Sequence, residues 1–297
     1  MSESKLSGIN EVYVALVRKC CNGRYIEARG QGCYELPQTF AMELPPGVAG
    51  DITLRERGLN YMFGLIERMS YLSGVGHHPH VITSYMENYR NFLEENHTDM
   101  GAYGPRMSYQ LNQAYHLLRK DPDTRQAVVN VYNYMQDGHG DKRNEPCTLA
   151  LHFLLRDGAL NMTAYMRSND IWWGFPYDMA AFAFLQQVMA HWLGVELGTY
   201  THVATSLHMY ESMIPTIEKF LDAPADPSGG LALPEWDVPY DKTWDALDAF
   251  WALEELTRVH RACMISRDCV ETKLAGSKFL EAALMAIADH WSQKRRA

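Results

Sequence analysis

The first third of the chain repeats apolar residues with the period of amphipathic helices. The clearest run lies in residues 53–73, and Gly74 follows it where a helix C-cap is favoured. Its apolar positions are Leu59, Met62, Leu65, Ile66, Met69 and Leu72. The same spacing predicts helices at residues 8–21, 82–95 and 106–119. A glycine-rich turn at residues 29–33 precedes a predicted strand that ends near Leu44.

The pattern changes to the two-residue alternation of strands after Asp121-Pro122-Asp123. Residues 148–155 and 160–166 alternate on either side of Asp157-Gly158, the dipeptide favoured in a two-residue hairpin turn. The remaining predictions are strands at 127–132 and 199–207, helices at 178–193, 243–263 and 276–293, and a loop rich in Pro, Asp and Gly at 222–240. Mixed helices and mainly antiparallel strands predict an α+β fold.

We expect a catalytic domain at residues 1–221, extended by a loop and C-terminal helices of the same domain at residues 222–297. The formal charge of −9, without a long basic run, argues against a nucleic-acid polymer as partner. A mononucleotide stays compatible, because one phosphate needs only a few arginines. No apolar run reaches the roughly 18 residues of a membrane helix, and the N-terminus shows no signal-peptide pattern.

The six cysteines are scattered and include no Cys-x-x-Cys pair. This distribution fits a reducing cytosol and predicts neither disulfides nor a zinc site. His77, His78 and His80 resemble a metal cluster, but no acidic or cysteine partner lies at helical spacing. We therefore interpret them as loop residues and expect a cytoplasmic protein without a metal or a membrane partner.

Residues 146–178 carry the densest set of reactive side chains. Taken alone, Cys147 has the character of a small buried hydrophobe, the usual state of a free cysteine. Its surroundings favour a nucleophile, because Pro146 fixes the preceding backbone and because Arg125 and Arg167 can supply the positive potential that favours thiolate.

The other polar residues of this stretch also have structural interpretations when taken singly. Ser168 and Asp170 suit a turn or a cap, and Asp178 precedes an amphipathic helix as an N-cap would. Combined with a thiol and an arginine, they form the set that covalent catalysis on a small anionic substrate requires.

Together these residues resemble the thymidylate synthase family, over roughly residues 25–220. Glu67, seven residues before Gly74, falls at the position of the family's catalytic glutamate, and Tyr103-Gly104 matches a further dipeptide. The matching motifs are Asp121-Pro122-Asp123-Thr124-Arg125, Pro146-Cys147, Arg167-Ser168-Asn169-Asp170, Gly174-Phe175-Pro176-Tyr177-Asp178 and His208-Met209-Tyr210.

Departures from the family pattern narrow the resemblance. Thymidylate synthases carry asparagine where this chain has Asp178, histidine where it has Thr148 and glutamine where it has Met166. These differences are similar to those of the deoxycytidylate hydroxymethylase branch, including its ribonucleotide relatives. The hydrogen-bonding edge of cytosine is consistent with an aspartate at this position. Cytosine presents an N3 acceptor beside an amino donor, and a carboxyl group can accept from the amino group while sharing a proton with N3.

The resemblance implies a reaction on a pyrimidine mononucleotide with 5,10-methylenetetrahydrofolate as the one-carbon donor. Cys147 would attack C6, so that C5 becomes nucleophilic. Glu67 would order water and handle protons at the base. The remaining implied roles are phosphate binding by Arg125, Arg167, Ser168 and Arg29, sugar binding by His208 and Tyr210, a pterin contact by Asp170, and base recognition by Asp178.

Two other interpretations stay open from the sequence: a C5 methyltransferase on cytidylate or uridylate, and a non-catalytic nucleotide-binding paralogue. Ribose and deoxyribose are not distinguished. Gln126 stands where the family has a second phosphate-binding arginine, and the family's short apolar C-terminal tail has no match in residues 291–297. In the family the arginine matched by Arg125 crosses into the partner's site, which implies an obligate homodimer.

Overall fold

A computed structural model describes residues 8–74, 79–140, 142–259, 274 and 276–294, in which helices surround two β-sheets. The helices are α1 (Ile9–Cys21), α2 (Tyr61–Ser73), α3 (Pro79–Tyr85), α4 (Gly104–Lys120), α5 (Phe175–Leu193), α6 (Ile214–Asp222), α7 (Thr243–Val259) and α8 (Lys278–Gln293). The strands are β1 (Arg24–Ala28), β2 (Gln31–Glu35), β3 (Phe40–Leu44), β4 (Val128–Asn130), β5 (Thr148–Arg156), β6 (Ala159–Met166), β7 (Asn169–Asp170), β8 (Glu196–Ala204) and β9 (Leu207–Tyr210).

The larger sheet has the strand order β3-β8-β6-β5-β4, and the smaller sheet has the order β1-β2-β9-β7. Within each sheet one pair is parallel, β6 with β8 and β7 with β9, while the other described pairs are antiparallel. The expected α+β class with a mixed, mainly antiparallel sheet is confirmed.

The hairpin between β5 and β6 forms where the sequence predicts it. Asp157 and Gly158 have φ angles of 52° and 78°, the positive values that a tight two-residue hairpin turn needs. Helix α5 then packs across the larger sheet and against α2. It is buried on nearly every side, and it forms the centre of the apolar core.

The first turn of α5 corrects one structural interpretation. The helix begins at Phe175 after Gly174, so Asp178 lies inside the helix and is not its N-cap. Its carboxylate instead accepts a hydrogen bond from the Asn169 side chain, over 2.7 Å. Asp178 therefore contacts strand β7 and does not cap its own helix.

Several element boundaries differ from the prediction for local reasons. Helix α2 begins only at Tyr61, because the Asn60 side chain accepts from the Phe63 amide over 3.0 Å and caps it. The predicted helix 82–95 is instead α3 followed by a 3-10 turn, Glu87–Phe92. The single strand expected up to Leu44 is divided into β2 and β3. Helix α6 was not predicted.

Two predictions extend beyond the described residues. His77 and His78 lie outside them, whereas His80 belongs to α3 and was wrongly placed in a loop. The predicted helix 243–263 matches α7, and its last residues, 260–263, also lie outside the described part. Among the described residues, no helix is long and apolar enough to cross a membrane.

The C-terminal helices are tied to the core by buried polar contacts. Trp251 on α7 donates its indole N–H to the Ser73 hydroxyl at the end of α2, over 2.8 Å. Tyr85 at the end of α3 donates to Glu254 on α7 over 2.8 Å and accepts from the Trp291 indole on α8 over 3.0 Å. Helices α7 and α8 therefore brace the helix that carries Glu67.

The ion pair between Glu254 and Arg258 gives a stability prediction. Glu254 is 1% exposed, and Arg258 Nε lies 2.8 Å from its Oε1. Replacing Arg258 by Met leaves a buried charge without its cation, so we expect the free energy of unfolding to fall by about 3 kcal/mol in urea denaturation.

The double variant Glu254→Met/Arg258→Met removes both charges and should recover much of that loss. Arg55→Met is the matched control, because Arg55 pairs with Asp226 at 4.0 Å on an exposed surface. A double variant no more stable than Arg258→Met alone would contradict the prediction.

Candidate active site

Cys147 is held at the start of β5 by contacts to its backbone. The Tyr103 hydroxyl accepts from the amides of Cys147 and Thr148, each over 3.1 Å. The backbone amide of Arg167 donates to the Cys147 carbonyl over 2.8 Å. The Arg167 side chain donates through Nε to the Pro146 carbonyl over 3.0 Å. The thiol therefore projects from a fixed piece of backbone.

Burial raises the pKa of the Cys147 thiol above its usual range. The positive charges of Arg167 and Arg29 act in the opposite direction, while the carboxyls of Asp178 and Asp170 raise the pKa further. The positive potential expected from Arg167 is present, but burial has the larger effect on the pKa of the thiol. The resting thiol is protonated at neutral pH, and forming the nucleophile requires a proton acceptor.

Arg125 does not reach this site within one protomer. Its carbonyl oxygen lies 3.2 Å from His152 Nε2, beside the strand pair β4–β5. His152 is five residues along β5 from Cys147, a separation of roughly 17 Å at about 3.4 Å per residue. The arginines whose charges act on the thiol are Arg167 and Arg29 instead.

Two carboxyls with raised pKa values lie on adjacent helices, the partly buried Glu67 on α2 and the buried Asp178 on α5. Burial raises the pKa of Glu67 on α2 to about 8, and the charge of Asp178 raises it as well, while a hydrogen bond from Tyr71 lowers it. Burial raises the pKa of Asp178 to about 7, against the lowering effect of the Asn169 hydrogen bond. Near neutral pH this pair can hold a proton, which suits general acid–base chemistry.

A chain of buried polar side chains continues behind Asp178. Asn169 Oδ1 lies 3.0 Å from His202 Nε2, and His202 Nδ1 lies 2.8 Å from the Tyr200 hydroxyl. Sequence reasoning missed Asn169, His202 and Tyr200 as site residues. A signal was present, since Tyr200 and His202 are two apart on a strand and so point to the same, buried face.

Asp170 closes the turn that follows β7. Its Oδ1 accepts from the amides of Trp172 over 2.7 Å and Trp173 over 3.2 Å. Burial raises the pKa of Asp170, against those hydrogen bonds and the electrostatic interactions with His208 and Arg57. Arg57, also missed from the sequence, is buried with its guanidinium 3.5 Å above the Trp172 ring and donates to Tyr13 over 2.9 Å.

The smaller sheet brings the other predicted residues to the same region. Ser168 Oγ lies 3.5 Å from His208 Nδ1, and the rings of His208 and Tyr210 meet edge to face at 5.4 Å. Arg29, at the β1–β2 turn with φ of 54°, exerts its charge on Tyr210 as well as on Cys147. Of the predicted site residues, only Arg125 stays outside this cluster.

No group of three or more His, Cys, Asp or Glu side chains suited to a metal ion occurs within the part of the chain that the structure describes. The chemistry assembled here rests on a thiol, carboxyls, arginines and hydroxyls. That combination matches a covalent transfer to a small anionic substrate.

Comparison with known proteins identifies the family. The model of the family described as thymidylate synthase matches residues 79–247. The chain belongs to the thymidylate synthase family. The fold and the motifs around Cys147 agree with this membership, and the resemblance inferred from the sequence is confirmed.

Curated relatives of the chain include three phage proteins, each named deoxyuridylate hydroxymethyltransferase. The protein of Bacillus phage SP01 is 34% identical over 208 residues, which cover 63% of this chain and 53% of the relative. The protein of Pseudomonas phage M6 is 29% identical over 187 residues, which cover 61% of this chain and 53% of the relative. The protein of Delftia phage PhiW-14 is 29% identical over 218 residues, which cover 68% of this chain and 60% of the relative. The chain thus spans about half the length of these relatives.

The raised pKa of Asp178 in this family member predicts a pH-dependent stability. An acid whose folded pKa exceeds its unfolded value stabilises the protein fully below the unfolded pKa, and the contribution is lost as pH rises through the folded pKa. For Asp178 that window runs from about pH 4 to about pH 7. Asp178→Asn should therefore gain stability relative to wild type across this window, by up to about 4 kcal/mol.

Urea denaturation at pH 4, 5.5, 7 and 8 would measure that difference. It should widen up to about pH 7 and stay level above it, whereas the exposed control Asp241→Asn should show no such trend. A constant difference between Asp178→Asn and wild type at all four values would mean that Asp178 does not titrate in this range.

Proposed function

We propose that the chain transfers a hydroxymethyl group to C5 of a pyrimidine mononucleotide, dCMP or CMP, with 5,10-methylenetetrahydrofolate as one-carbon donor. The observation that carries the proposal is that the charge of Asp178 acts both on the partly buried Cys147 thiol and on Glu67, and that both carboxyls can hold protons near neutral pH. Family membership and the names of the phage relatives support the same reaction class.

The Cys147 thiolate adds to C6 of the base, which forms an S–C6 bond and makes C5 nucleophilic. C5 then attacks the one-carbon unit of the folate, loses its proton, and expels tetrahydrofolate to leave a methylene group on C5. Water adds to this methylene, and the S–C6 bond breaks to restore the C5–C6 double bond. No hydride moves, so the folate leaves without oxidation; hydride transfer would give a methyl group and dihydrofolate instead.

Glu67 is the proton carrier of this proposal. A carboxyl with a pKa of about 8 is mainly protonated at neutral pH, so it can donate to the base and later accept from an ordered water. Its hydrogen bond from Tyr71 holds the carboxyl in place. The charge of Asp178 on α5 raises the pKa of Glu67, so that ionisation of both carboxyls at once is unfavourable.

The remaining roles are those that the family resemblance implies. We assign phosphate binding to Arg167, Ser168 and Arg29 and sugar binding to His208 and Tyr210; the charges of Arg167 and Arg29 on the thiol and the contacts of His208 with Ser168 and Tyr210 support this assignment. For the folate, Asp170 offers a fixed carboxylate, and Trp173 beside it is 49% exposed and offers a ring face for a planar pterin. A carboxylate acceptor next to an exposed aromatic ring fits the folate.

Asp178 favours cytosine as the base. A carboxyl group that titrates near pH 7 can give its proton to the N3 acceptor of cytosine and accept from the amino group. The phage relatives favour a second candidate, deoxyuridylate, since their names assign them that substrate. Uracil reverses the donor and acceptor, and a neutral carboxyl can match it only with its proton on the other oxygen.

The active unit is a homodimer with one catalytic domain per chain, residues 1–221, and residues 222–297 as an extension of that domain. The sheet face opposite α5 carries partly exposed apolar side chains, Leu149 at 37% and Tyr165 at 40%. A second copy would cover this face and bring its own Arg125 to the site, which Arg125 does not reach within one chain.

Product analysis tests the reaction. Incubation of the protein with methylenetetrahydrofolate and, separately, dCMP, CMP or dUMP should give a 5-hydroxymethyl nucleotide by mass spectrometry, without the absorbance of dihydrofolate. Cys147→Ser should lose turnover at least about a thousandfold, because a neutral hydroxyl is a far weaker nucleophile than a thiolate. Cys21→Ser, a second partly buried cysteine, serves as control.

A methylated product with stoichiometric dihydrofolate would replace the proposal by a methyltransferase. Full turnover by Cys147→Ser would exclude covalent catalysis through this thiol. Binding of nucleotide without any product from all three substrates would favour a non-catalytic paralogue.

Exchange of Asp178 for Asn tests base recognition. An amide presents a donor and an acceptor that suit uracil, so the ratio of kcat/KM for dCMP to that for dUMP should fall at least about a hundredfold, a typical effect where buried polar groups lose their match. Steady-state kinetics with both nucleotides measures the ratio. An unchanged ratio would remove Asp178 from base recognition.

A further inference from the structure

The buried polar chain behind Asp178 has one arrangement of hydrogens that gives the Tyr200 O–H its acceptor, because the reversed arrangement would make His202 Nδ1 a donor. Asp178 Oδ2 must accept from Asn169 Nδ2, which turns the Asn169 carbonyl oxygen towards His202 Nε2. That nitrogen must then carry the hydrogen, so His202 Nδ1 accepts from the Tyr200 hydroxyl. Tyr200, His202 and Asn169 thus donate in series towards Asp178.

Packing keeps this chain in place. Asn169 and Tyr200 are each 2% exposed and His202 is fully buried, so water does not compete for their hydrogen bonds. A methyl group at Gly174 would lie 3.0 Å from Asn169 Nδ2 and 3.2 Å from Asp178 Oδ2. The absence of a side chain at Gly174 therefore allows Asn169 and Asp178 to meet.

We propose that Asn169, oriented by His202 and Tyr200, is a specificity-determining positioning residue that keeps Oδ2 of Asp178 as a hydrogen-bond acceptor and confines the exchangeable proton to Oδ1. This inference rests on the proposed function, in which Asp178 reads the base. Nothing in the motif Arg-Ser-x-Asp assigns a role to Asn169, which occupies its variable position.

The consequence concerns the choice between the two bases. Cytosine needs a donor opposite N3 and an acceptor opposite its amino group, whereas uracil needs an acceptor opposite N3 and a donor opposite O4. A carboxyl whose proton moves freely between its oxygens suits both. A carboxyl with the proton confined to one oxygen suits only one of the two bases in a given pose. The polar chain therefore makes the Asp178 carboxyl selective between cytosine and uracil.

Four variants separate this role from simple packing. Asn169→Leu keeps the volume and removes the donor, and Tyr200→Phe removes only the terminal hydroxyl. His202→Phe breaks the chain, while His202→Gln places an amide N–H near the position of Nε2 and keeps the donor. Thr201→Val is the matched control, because Thr201 lies on the same strand as Tyr200 and His202 but points to the opposite face.

Kinetics and binding with dCMP and dUMP give the readout. In Asn169→Leu the ratio of kcat/KM for the two bases should fall about tenfold or more, with most of the change in KM and in the dissociation constants measured by calorimetry. His202→Phe should follow in the same direction, His202→Gln should recover most of the ratio, and Tyr200→Phe should show a smaller fall. Thr201→Val should keep the wild-type ratio.

Equal losses for both bases, or equal ratios in His202→Phe and His202→Gln, would overturn the inference and leave the proposed function intact. Should Asn169→Leu fold poorly, Tyr200→Phe decides alone, and a wild-type ratio in it counts against the proposal. If wild-type protein neither binds nor converts either nucleotide, the proposed function itself fails, and the inference fails with it.

Discussion

The site depends on two carboxyls with raised pKa values, the partly buried Glu67 and the buried Asp178, of which Asp178 also acts on the Cys147 thiol. Burial disfavours the charged forms of both acids, and the charge of Asp178 raises the pKa of Glu67 further. The same burial holds Cys147 as a thiol, although Arg167 and Arg29 oppose it. The resting site therefore holds protons at neutral pH, and each step of the proposed covalent transfer has a neighbouring donor or acceptor in the protein.

Such a site needs a rigid frame, because buried unpaired polar groups are costly. Asn60 supplies part of it: its side chain caps α2 and donates to the Tyr85 carbonyl, while its amide donates to the Tyr177 hydroxyl on α5. Tyr85 in turn contacts Glu254 on α7 and Trp291 on α8. The C-terminal helices thus support the two helices that carry Glu67 and Asp178, although they lie outside the matched motifs.

What the sequence predicts well is determined locally. The β5–β6 hairpin follows from Asp157-Gly158, and α4 and α8 follow from their periodicity. What it misses is determined between elements. The partnership of Asn169 with His202 joins β7 to β8, which are far apart in sequence, and no spacing rule reports it. Arg125 shows the same limit in another form, since the motif places it at the site while its described contact is with His152 on β5.

The pKa of Asp178 links these observations. Burial raises the pKa of this carboxyl, and a cation beside it would lower that pKa strongly. The hydrogen bond from Asn169 stabilises the ionised form by the modest amount that a neutral donor provides, and the value settles near 7. Under the proposed function, a carboxyl with this pKa shares one proton with a pyrimidine nitrogen in the bound state. The choice of asparagine over lysine or arginine as its partner then serves base recognition as well as packing.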